Sequence, residues 1–145
     1  MRNRADYLIR LIEAAAQVLA ALRTRILGGK SSSAEVQQQL RQAAGLVGMN
    51  LDIARAATPE MQELMITPSG EIDGSKCYVT AEILYLDGLD ATLEPDYDRA
   101  RESWDRALRL FRLIEPRGSF LVGWPEASER IADIESRLAT FPGEK

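Results

Sequence analysis

The chain contains no histidine, and its 145 residues include a single cysteine, Cys77. Histidine supplies the usual general base near neutral pH and the commonest zinc ligand, so every Ser-His or Cys-His arrangement and every histidine-ligated zinc is excluded. A lone cysteine cannot close an internal disulfide, which makes a reducing cytoplasm the expected compartment and a small buried apolar residue the expected role of Cys77. Nothing at the N-terminus has the layout of a cleaved signal peptide. Long hydrophobic runs are also missing: the longest apolar stretch, residues 14–22, is interrupted by Gln17 and is far shorter than the roughly 20 residues a membrane-spanning helix needs. Surplus positive charge is absent too. With 18 Lys and Arg against 22 Asp and Glu, the net charge of -4 opposes a generic grip on phosphate backbones. Neither nucleic acid nor a membrane is an expected partner.

What is present suits one globular domain, with 46% hydrophobic and 28% charged residues over a length that supports a single core. The basic residues are almost all arginine and alanine is abundant, as in GC-rich bacterial genomes. From residue 6 to 27, Leu8, Leu11, Ile12, Ala15, Leu19, Leu22 and Ile26 recur at helical spacing, and Gly28-Gly29 supply a stop. Ser32 with Glu35 forms a capping box for a second helix, whose stripe Val36, Leu40, Ala43, Val47, Leu51 and Ala54 carries it to about Ala57. Thr58-Pro59-Glu60 reads as cap, first-turn proline and first-turn acid of a short helix to about Met65. Residues 67–74, with Pro68, Gly70 and Gly74, form the one internal loop of any length, with room for brief extended structure. Ser75 caps a helix to about Thr92. Pro95-Asp96 separates it from another to about Glu115, which Pro116 and Gly118 end. Pro125-Glu126 opens a last helix with Ala127, Ile131, Ile134, Leu138 and Phe141 on one stripe. The expectation is a single all-α domain over residues 1–145, an antiparallel array of five long helices and one short. Residues 1–66 hold the N-terminal helices, 75–115 a central pair and 123–141 a capping helix.

The central pair resembles a tetratricopeptide repeat over residues 81–114. Gly88 stands where the two helices of such a repeat approach, Ala100 follows twelve residues later, Trp104 takes the large aromatic position, and Ala107-Leu108 form the closing small-large pair. The turn Asp96-Tyr97-Asp98 also fits. Asp87, Ala91 and Arg112 depart from the leucine, tyrosine and proline usual at their positions, and one repeat is too few for a solenoid, so the other helices must cap it. The chain is also similar, over residues 1–115, to short bacterial helical proteins of unknown function that begin with an aromatic-aliphatic helix like Asp6-Tyr7-Leu8-Ile9-Arg10-Leu11-Ile12. That similarity implies no activity.

Other groupings favour structural roles. Gly28-Gly29-Lys30-Ser31 is similar to the end of a phosphate-binding loop, but Thr24 replaces its first glycine and a helix precedes it where a strand should. Asp87 with Asp90 reads as a solvated face or a local salt bridge, and Asp96 with Asp98 as helix-start acids. Arg99, Arg101, Arg106, Arg109 and Arg112 interleave with acids, and Glu102–Arg106 and Asp105–Arg109 have the spacing of surface pairs. Arg2, Arg4, Arg10, Arg23 and Arg25 flank the first helix, whose alanine side, Ala14, Ala16, Ala20 and Ala21, suits close approach of another helix, from this chain or from a second copy in a homodimer. Tyr97, Ala100, Trp104, Leu108 and Phe111 are expected in the core.

The functional expectation is a non-catalytic interaction module with no cofactor and no metal. The resemblance to a tetratricopeptide pair implies that the helix of residues 75–92 lines a groove through Tyr78, Glu82, Tyr85, Leu89 and Thr92. With no lysine or arginine on that stripe, an apolar or helical protein or peptide is the expected partner. The stripe becomes ordinary core if the last helix folds back over it. The alternative is a small-ligand or enzyme site of carboxylates and tyrosines near residues 67–90.

Overall fold

The computed structural model describes residues 2–67, 74–117 and 125–141. All regular structure among them is helical. Helix α1 (Arg2–Leu27) ends where Gly29 turns left-handed at φ 68°, with the Lys30 amide donating back to the Arg25 carbonyl at 2.9 Å. Helix α2 (Ser33–Leu46) begins with the capping box: the Glu35 amide donates to Ser32 Oγ at 3.2 Å and the Ser32 amide to Glu35 Oε1 at 2.9 Å.

The helix expected to continue to Ala57 is two helices. Gly48 adopts φ 72°, the Met49 amide closes onto the Ala44 carbonyl, and Asn50 caps a separate α3 (Leu51–Ala56) by accepting from the Ile53 amide at 3.0 Å. Apolar spacing runs across the break because Ala44, Leu51 and Ala54 all face the same core, so periodicity alone does not mark it. Helix α4 (Pro59–Ile66) follows, capped by Thr58. Two short helices therefore stand where one was expected. The loop expectation falls mostly on residues 68–73, outside the described residues.

Helix α5 (Gly74–Leu93) is the axis of the fold. Every residue from Cys77 to Ala91 is buried, the carboxylates Glu82, Asp87 and Asp90 among them. Helix α6 (Tyr97–Ile114) returns along it after Asp96 caps its first turn, and the two make the most extensive helix contact in the molecule. A 3₁₀ turn, Glu115–Arg117, ends α6, and α7 (Ala127–Leu138) packs on it; α1 and α2 pack on each other and on α5. The last helix stops three residues short of Phe141. That ring is nonetheless buried, stacked on Trp104 at 5.3 Å and edge-on to Tyr97 at 5.0 Å.

Ala100, Trp104, Leu108 and Phe111 are buried as expected, and Tyr97 is half-buried against them. Trp104 donates Nε1–H to the Tyr85 carbonyl at 2.9 Å, and its indole occupies the space a side chain at Gly88 would need. Cys77 is buried, its thiol donating to the Leu110 carbonyl at 3.3 Å. The expected Glu102–Arg106 pair is replaced: Arg106 donates Nε to the Ala57 carbonyl at 2.9 Å and reaches only the backbone oxygen of Glu102. Asp105 and Arg109 form no ion pair among the described residues.

Candidate functional site

The stripe expected to line an open groove is interior. Tyr78, Glu82, Tyr85 and Leu89 are all at most 5% exposed, and Thr92 is half-buried with its hydroxyl turned onto the Leu89 carbonyl. The correction has a tertiary cause. α1 packs along one side of α5, and α7 reaches it from the other through polar side chains, so both sides of the stripe are covered.

Those covering side chains include the cations that the stripe itself lacks. Arg130 of α7 forms a two-pronged ion pair with Glu82, Nε to Oε1 at 2.9 Å and Nη2 to Oε2 at 2.8 Å, with both side chains more than nine-tenths buried. Burial alone would favour the neutral guanidine, but the Glu82 carboxylate reverses that and raises the Arg130 pKa above its ordinary value. Tyr85 donates its hydroxyl to Asp133 at 2.5 Å and accepts from Arg23 Nε at 3.2 Å. Burial, then the bond to Asp133, pushes the phenol pKa up. Asp133 is lowered: the bonds from Tyr85 and Arg137 outweigh its desolvation. The Tyr85 ring also lies near both guanidinium carbons, 4.7 Å from Arg130 and 5.8 Å from Arg23. Tyr78 donates to the Pro125 carbonyl at the start of α7.

Where the stripe meets the surface, a cleft of about 650 Å³ opens between α1, α5 and the start of α7. Its α1 wall presents Glu13, Ala16, Gln17, Ala20 and Arg23, one stripe at three-four spacing, and Glu82 and Arg130 stand opposite. Ala16 and Ala20 leave the room. The alanine side of α1 was expected to suit a close helix contact; Ala16 and Ala20 wall this opening, and Ala20 and Ala21 are exposed.

A second polar cluster lies at the other end of α5. Asp87, fully buried, accepts from Arg55 Nη2 at 2.8 Å, Gln37 Nε2 at 3.0 Å and Ser103 Oγ at 2.5 Å; Asp90 accepts from Arg99 Nη2 and Ser33 Oγ, each at 2.8 Å. Of the two readings of this pair, the solvated face gives way to an interior junction of α2, α3, α5 and α6, and salt bridges are present, Arg55 to Asp87 and Arg99 to Asp90. Desolvation pushes the Asp87 pKa up, and the bonds from Arg55, Ser103 and Gln37 override it, leaving the carboxyl below the ordinary range. Both carboxylates are engaged by their own chain, while Arg99 Nε is buried without a hydrogen-bond partner among the described residues. The partners of the two carboxylates lie 9 to 57 residues away in sequence, beyond the reach of a motif.

Among the described residues, no group of three or more acidic or thiol side chains is arranged to hold a metal, and no helix is long and apolar enough to cross a membrane. No protein-family model, curated protein or solved structure matches this chain.

Proposed function

We propose that this chain is a non-catalytic protein-interaction module whose peptide-binding surface is the cleft between α1, α5 and the start of α7. The observation that carries the reading is Arg23. This half-buried guanidinium lines the cleft, holds Tyr85 through Nε alone, and forms no ion pair among the described residues. Opposite it, Glu82 and Arg130 neutralise each other. The contact of Gly88 with Trp104 supports the resemblance of the α5–α6 pair to a tetratricopeptide repeat, and with it an interaction role. Catalysis is disfavoured because histidine is absent, Tyr85 is bonded to Asp133 and Glu82 is paired with Arg130. A small-ligand site near Glu82 is the second reading, favoured by a volume within the range typical of such sites.

Panning a displayed random-peptide library on the immobilised chain tests the proposal, with Ala20→Trp as the blocked form. Ala20 is exposed on the cleft wall, so a bulky side chain there fills the opening without entering the core. Peptides enriched on the wild type and lost on Ala20→Trp are expected; equal enrichment on both would move the surface elsewhere and overturn the reading.

A further inference from the structure

Resting on the cleft as the binding surface, we infer that it recognises a peptide carboxylate and that Arg23 is the residue that reads it. Three carboxylates lie near the Tyr85 end of the cleft or along its wall, and none forms an ion pair with Arg23; Asp133 acts on its charge only across the Tyr85 hydroxyl. Glu82 is held by Arg130, and Asp133 is held by Arg137 Nε at 3.1 Å and by Tyr85. Glu13 is exposed ten residues earlier on α1, about 15 Å along the helix at 1.5 Å per residue. Arg23 therefore lines the cleft as a cation without an ion-pair partner among the described residues, where Nη1 and Nη2 likewise make no hydrogen bond.

The side chain is also aimed. The Tyr85 hydroxyl donates its hydrogen bond to Asp133, which leaves a lone pair to accept from Arg23 Nε–H, and that bond together with the Tyr85 ring 5.8 Å away orients the guanidinium. The two remaining nitrogens form the planar fork that matches a carboxylate, and a fork already ordered loses little freedom on binding. Tyr85 is fully buried and cannot touch the ligand, so it acts as a positioning residue. Arg130 Nη1, likewise without a hydrogen bond among the described residues, adds a second donor on the opposite wall. A peptide bearing a carboxylate beside an aliphatic side chain fits this arrangement: the acid on Arg23, the aliphatic group in the room left by Ala16 and Ala20.

The carboxylate has two sources, a chain terminus or an acidic side chain, and three short peptides separate them. N-acetyl-Leu-Leu as the free acid, N-acetyl-Leu-Leu amide and N-acetyl-Leu-Glu-Leu amide are titrated into the ¹⁵N-labelled full chain, following the Arg23 Nε–Hε resonance. At least one acidic peptide should shift that resonance saturably and bind more tightly than the neutral amide by on the order of tenfold; the order of the two acids identifies the source. Arg23→Gln should abolish the preference for acid over amide, and Arg23→Lys, which keeps charge but loses the fork, should retain only part of it. Tyr85→Phe should weaken the preference while leaving the neutral peptide's affinity unchanged, a split that a purely structural role of the hydroxyl would not produce. Arg41→Gln, on the exposed surface of α2, should change nothing. Equal binding of acid and amide in the cleft, or a preference that survives Arg23→Gln, overturns the inference and leaves the interaction module standing. Absence of any acid-dependent shift at Arg23 up to the solubility limit also overturns it, and only failure of the library as well removes the surface itself.

Discussion

Replacing Gly88 by alanine sets a helix-favouring change against the close approach of the Trp104 indole. A Cβ added there lies 2.5 Å from Cε2 of Trp104 and closer still to Nε1 and Cδ1. The indole has nowhere to retreat, being fully buried, bonded to the Tyr85 carbonyl and stacked on Phe141. Overpacking of this kind costs about 1–3 kcal/mol. Pushing the indole off the carbonyl leaves a buried N–H without a partner, for about another 1–3 kcal/mol. Alanine recovers about 1 kcal/mol of helix propensity. The net expectation is a loss of about 3 kcal/mol, which for a chain of this size lowers the melting midpoint by about 6–12 °C. Gly45 is the internal control: it is exposed on α2 and a Cβ there would meet nothing within 4 Å, so Gly45→Ala should stabilise by about 0.5–1 kcal/mol. Urea denaturation followed by circular dichroism reads both. In a Trp104→Ala background, itself expected to cost about 3–5 kcal/mol, Gly88→Ala should become neutral or mildly stabilising. Gly88→Ala melting like wild type, or costing the same with and without Trp104, would refute the reasoning.

Glu82→Leu should destabilise by about 3–5 kcal/mol because it leaves the Arg130 guanidinium buried without its partner, and adding Arg130→Met should restore most of that loss in the same denaturation assay. Asp87 binds its proton less readily in the folded than in the unfolded chain, so its stabilisation is complete above its ordinary pKa of 3.8 and disappears as pH falls through the lower folded value. Asp87→Asn should therefore lower stability at neutral pH and flatten the acid limb of the stability–pH curve below about pH 4, read by thermal melts across pH. Cys77 should resist a thiol reagent in the native protein and react at the rate of unfolding, which a time course in increasing urea measures.

Local signals were legible where the physics is local. Ser32 with Glu35, Thr58 before Pro59, Asp96 and Gly29 determine helix ends through bonds or backbone angles that span a few residues, and the three-four spacing of apolar residues determines an all-α fold. The resemblance of the α5–α6 pair to a tetratricopeptide repeat implied a close approach of two helices at Gly88, and the indole of Trp104 lies against that glycine. The break at Gly48 was legible in kind but masked, because both sides of it bury into one core and the period continues through. What only the tertiary structure decided is which charges meet. Asp87 and Asp90 look like half of a solvated face until α2, α3 and α6 bring Gln37, Arg55 and Arg99 to them, and burial then makes those pairings obligatory. Arg23 and Arg130 lie 107 residues apart and become neighbours only because α1 and α7 close on opposite sides of Tyr85, a meeting that a short-range pattern has no means of recording.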